Sequence, residues 1–125
     1  MILIGDELVP FGDISFISNI EQISNTKANS TVLFTYDEKI LKYVYDNELS
    51  SGVIVKSIKD AIYCNNLNVK YIISEKPLSQ QIQKIADNYM YDSKNLAIID
   101  SNDEFEEMAR NEIDGIIYRS LIQEK

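Results

Sequence analysis

Five short, β-branched apolar runs recur along this chain at nearly even intervals, and no other feature restricts its fold as strongly. They are Val32-Leu33-Phe34, Val53-Ile54-Val55, Tyr71-Ile72-Ile73, Leu96-Ala97-Ile98-Ile99 and Ile116-Ile117-Tyr118. Their starts lie about twenty residues apart, which leaves room for one helical crossover per interval and too much chain for tight hairpins. The intervals are amphipathic. Asp37 to Glu48 would bury Ile40, Leu41 and Val44, and Pro77 to Met90 would place Leu78, Ile82, Ile85, Ala86 and Tyr89 on one face. Ser57-Ile58-Lys59-Asp60 and Ser101-Asn102-Asp103-Glu104 have the pattern of capping boxes. The helix after Ser101 would turn Phe105, Met108, Ala109 and Ile113 inward and stop at Asp114-Gly115.

These runs are apolar at successive positions, as in strands covered on both faces. The expected fold is therefore α/β: a single-domain three-layer sandwich on a mostly parallel open sheet, Rossmann-like or flavodoxin-like. Repeated strand-helix units also suit part of a (β/α)₈ barrel, but the chain has 125 residues, about half the typical length of such a barrel. Residues 1–125 read as one domain. Within residues 1–30 the structure is left open: Met1 to Ile4 and Ile14 to Ile17 are strand candidates, Asn19 to Ser24 a short helix, and Thr26 to Ser30 a loop.

Charge and residue usage remove several kinds of chemistry. A formal net charge of −8 repels phosphate backbones and anionic membranes, so no nucleic acid and no membrane are expected as partners. The start, Met1-Ile2-Leu3-Ile4-Gly5-Asp6-Glu7, lacks the basic and long apolar segments of a leader, and the expected location is cytoplasmic. The chain has no histidine, hence no imidazole base, no Ser-His or Cys-His pair and no imidazole metal ligand. Its one cysteine, Cys64, reads as a packed residue. With only Gly5, Gly12, Gly52 and Gly115, neither a dinucleotide fingerprint nor a P-loop can be assembled. Asp100 to Glu104 has oxygens at alternate positions, but Phe105 and Asn111 stand where a calcium loop needs glycine and glutamate. No metal and no cofactor are expected.

In an open parallel sheet, ligands bind beyond the carboxyl ends of the strands. The residues just after the apolar runs are polar there: Tyr36 and Asp37, Lys56 and Ser57, Glu75 and Lys76, Asp100 and Ser101, Arg119 and Ser120. Helix starts favour such residues regardless of function. Lys56, Ser57, Glu75 and Asp100 are the candidate ligand-binding residues: a lysine at a strand end for an anion, a serine at a helix start, and two carboxylates able to divide a proton between them. Tyr43, Tyr45, Tyr89 and Tyr91 fall in two helical regions, and tyrosine is enriched at protein interfaces.

The segments Lys84 to Lys94 and Ile113 to Tyr118 resemble a family of short uncharacterised α/β proteins from epsilon-type proteobacteria, a resemblance that implies no activity and assigns no functional residue. The layout is also similar to response-regulator receiver domains, with Lys76-Pro77 like a receiver's lysine-proline pair. In a receiver that pair ends the last strand, whereas two strand-helix units follow it here. The leading expectation is a small non-catalytic protein acting through association, as a homodimer. The alternative is a small-molecule- or anion-binding protein, or a small enzyme, working at the polar strand-end edge; whether the chain is an enzyme stays open.

Overall fold

The computed structural model describes residues 1–122. Seven strands form one sheet: β1 (Ile2–Ile4), β2 (Ile14–Phe16), β3 (Thr31–Thr35), β4 (Ser51–Ile54), β5 (Tyr71–Ser74), β6 (Lys94–Ile99) and β7 (Gly115–Tyr118). Every neighbouring pair is parallel, and the order is β1-β7-β6-β5-β4-β3-β2. Four α-helices connect the later strands: α1 (Glu38–Asp46), α2 (Ile58–Asn66), α3 (Lys76–Tyr89) and α4 (Phe105–Arg110). The first thirty residues supply both edge strands and a 3-10 helix, Ile20–Asn25, where the Asn19 side chain accepts the Gln22 amide.

The single-domain α/β architecture on a parallel sheet expected from the spacing is present, but the strand order sets one α-helical layer in place of the two that a three-layer sandwich would have. From β3 to β7 each strand lies beside the one before it. Right-handed crossovers that all step in one direction carry their helices to the same side. Accordingly Val32, Phe34, Val53, Val55 and Ile72 pack with Ile40, Leu41 and Val44 of α1, Ala61 and Cys64 of α2 and Ile82 of α3. Ala97, Ile99 and Ile116 pack with Met108 of α4. The alternate residues face the other way, where none of α1 to α4 packs. There Ile4, Leu33, Ile54, Ile73, Leu96, Ile98 and Ile117 form one cluster, joined by Ile2 of β1, Ile14 and Phe16 of β2, and Leu121. Side chains from both edge strands meet in that cluster because the sheet is curled. The sheet's own concave face thus buries what a third layer of helices would otherwise cover, which explains why the strands are apolar on both faces. β1 pairs with β7 and β2 with β3, so the sheet remains open between its edges.

All three caps form, but the box expected at Ser57 is half made, since Asp60 accepts the Lys56 amide in place of that of Ser57. Asp37 accepts the amides of Lys39 and Ile40, Ser57 that of Asp60, and Ser101 with Glu104 completes a capping box. Three positions differ from expectation. Tyr89 is 71% exposed, because α3 ends there and Met90 turns into a left-handed conformation at φ 52°. Ala109 is exposed. α4 stops at Arg110, and the left-handed residue is Glu112 at φ 57° instead of Gly115, which begins β7.

Candidate functional site

The carboxyl ends of β4 to β7 present the predicted residues on one edge, and an arginine organises them. Arg119, the residue after β7, donates from Nη1 and Nη2 to both oxygens of Glu75 at 2.7 and 2.8 Å, and from Nε to Asp100 Oδ1 at 2.8 Å. The planar guanidinium suits this forked contact. Glu75 ends the turn after β5 and Asp100 follows β6, so one cation ties the mouths of three adjacent strands. The Arg119 guanidinium holds the Glu75 carboxyl below the usual carboxylate range, against a smaller opposing push from burial; Lys56 adds a weaker attraction from further away. Lys56 itself is exposed, and its backbone N–H donates to Asp60 Oδ2 at 3.2 Å. Ser57 Oγ accepts the Asp60 amide at 3.1 Å. The structure therefore gathers Glu75 and Asp100 around Arg119, sets Lys56 near them, and uses Ser57 as a helix cap.

A second ion cluster adjoins the first. Lys76 Nζ lies 2.6 Å from Glu104 and 3.5 Å from Glu107. Glu104 also accepts the amides of Asp100 and Ser101, and its carboxyl is held low, chiefly by Lys76. Tyr118 donates its hydroxyl to Asp6 at 2.8 Å; burial first, then that carboxylate, pushes the phenol up to about 12. Among the described residues no group of three or more His, Cys, Asp or Glu side chains is placed to hold a metal. Cys64 is fully buried and its thiol is pushed up to about 12 by burial, so it carries no thiolate at neutral pH.

Glu75 gives a pH test. Its folded pKa lies below its unfolded value, so the ion pair's contribution is present above the ordinary carboxylate range and is lost as pH falls through the folded value. Arg119→Gln should lower the unfolding free energy measured in urea at pH 7 by a small amount, about 1 kcal/mol or less because the pair is largely exposed. The difference from the parent should shrink as pH falls below about 4; an undiminished difference at pH 3 would show that Arg119 stabilises by packing alone.

A different kind of surface lies on the outer side of the helical layer. Between α1 and α2 runs a groove of about 380 Å³ whose walls include Tyr36, Tyr45 and Tyr63 and whose floor includes Leu41 and Leu67. The exposed Glu38, Lys42 and Asp46 stand on its rim. Tyr43, Tyr45, Ile62 and Tyr63 are 37%, 43%, 45% and 50% exposed. Further along, Tyr89 and Met90 are exposed at the end of α3. Ile62 and Tyr63 were not among the contact candidates from sequence. The signal was present: α2 buries Ala61 and Cys64 on one stripe, and the pair sits off it.

No helix among the described residues is long and apolar enough to cross a membrane. Neither the protein-family models nor the curated protein sequences compared with the chain give a match.

Proposed function

We infer that this is a cytoplasmic, non-catalytic protein that acts by associating with other protein surfaces, and that it forms a homodimer. The observation that carries this reading is the apolar and aromatic outer face of the helical layer, from Tyr45 and Tyr63 on α1 and α2 to Tyr89 and Met90 at the end of α3. Tyrosine and methionine belong to the residues enriched at interface centres. The net charge of −8 favours protein over nucleic acid as the partner. The strand-end edge is the less suitable working surface, since Arg119 already occupies its carboxylates. The homodimer contact belongs to the α3 end, where the two most exposed large hydrophobic residues of the helical layer, Tyr89 at 71% and Met90 at 84%, are adjacent.

Light scattering in line with size-exclusion chromatography, repeated across protein concentration, tests this directly. The expected result is a dimer whose dissociation constant rises at least tenfold when Tyr89 and Met90 are both changed to Ser, the removal of two anchors of the kind that dominate interfaces. A monomer at every concentration would remove the homodimer.

A further inference from the structure

Resting on the association reading, we propose that the groove between α1 and α2 receives an arginine or lysine side chain from an extended basic segment of a partner protein. Three features of the groove converge on that occupant. Tyr36, Tyr45 and Tyr63 contribute aromatic surface, and the face of a phenol ring attracts a cation through its quadrupole. Leu41 and Leu67 supply apolar surface for the methylene stem that carries such a cation. Glu38 and Asp46 bring carboxylates to the rim. The chain's own cation there, Lys42, also lines the groove and lies 3.7 Å from Asp46 with its side chain 80% exposed, so Glu38, which accepts the Tyr36 hydroxyl at 3.4 Å, is the carboxylate left without a cation among the described residues. The cation stacked on a ring elsewhere, Lys70 over Tyr71, lies outside the groove.

Charge decides between occupants. A second copy docking groove to groove would bring the same two rim carboxylates to the contact, and like charges brought face to face oppose docking. A basic segment meets the opposite sign at every step of its approach, and the protein's overall field would speed its encounter. The homodimer, built on the α3 end, leaves this groove open.

The test uses the whole protein, ¹⁵N-labelled, and two capped tripeptides: Leu-Arg-Leu, and the same peptide with neutral citrulline, which keeps the shape of arginine without its charge. The expected result is a set of amide shifts confined to α1 and α2 around Tyr45 and Tyr63, with the citrulline peptide at least fivefold weaker. Tyr63→Ala should weaken the arginine peptide by about three- to tenfold, Glu38→Gln by about threefold, and raising salt should weaken it further. Equal binding of the two peptides, shifts located elsewhere, or no binding to either the parent or the Tyr89→Ser/Met90→Ser variant would overturn the cation site. Light scattering decides the homodimer independently of all three outcomes.

Discussion

Gly115→Ala is expected to detach β1 from the sheet and to remove about 3 kcal/mol or more of stability, estimated from burial of a large aliphatic side chain and loss of ladder hydrogen bonds. Gly115 is paired on one side with Ile2 and on the other with Leu96. A methyl group there would lie 2.5 Å from the Ile2 carbonyl oxygen, 2.6 Å from Ile2 Cβ and 2.8 Å from Leu96 Cδ2. The first contact is with backbone, and that backbone is held: Ile2 N–H donates to Asp114 at 2.9 Å. Either β1 leaves, exposing Ile4, or β7 shifts and disturbs β6. Gly12→Ala is the control, because a methyl there meets nothing within 4 Å. Urea unfolding of the two variants, with amide exchange at Leu3 and Ile4, measures the difference. Similar midpoints for both would mean that the edge strand yields freely.

Gln83→Met should cost about 2–4 kcal/mol although it keeps nearly the same volume, because it orphans several buried partners at once. Gln83 is 2% exposed and sits on the inner side of α3. Its Oε1 accepts from Asn95 Nδ2 and from the Asp114 amide, both at 3.0 Å, and its Nε2 donates to Asp87 at 2.9 Å and Asp114 at 3.1 Å. Asn95, fully buried in β6, donates further to the Ser79 carbonyl, while its own Oδ1 has no partner among the described residues. Removing both amides should therefore cost less than the sum of the single changes, since Asn95→Leu takes away a donor left orphaned by Gln83→Met and an acceptor already unsatisfied. A double-mutant cycle by urea unfolding measures this coupling. Strict additivity would show that α3 is held to β6 by packing, with the amides incidental.

The elements that could be read from sequence are those whose signals are local. Asp37, Ser57 and Ser101 cap the helices that follow them, and each strand grows around an apolar run. What escaped depends on residues distant in the chain. Asn95 looks like a reason to begin β6 at Leu96, but the strand begins at Lys94 because Gln83, on the preceding helix, satisfies the buried amide. Gly115 has the look of a helix stop, yet it is glycine for the sake of Ile2, more than a hundred residues away. Tyr89 shares a helical stripe with Ile82 but lies in the last turn, past the point where the sheet covers α3. At the strand-end edge Glu75 and Asp100 could be proposed from position alone. Their common partner, Arg119, depends on β5, β6 and β7 being neighbours, which spacing does not encode.

The strand order also has a kinetic consequence. From β3 to β7 every strand pairs with the one made just before it, so the ladder can lengthen by short loop closures, each of modest entropic cost. β1 alone must wait for a partner at the far end of the chain, with Ile2 meeting Gly115. It would then behave as a clasp that fastens after the remainder has assembled and opens first under stress, leaving the cap-and-helix register of the later units undisturbed.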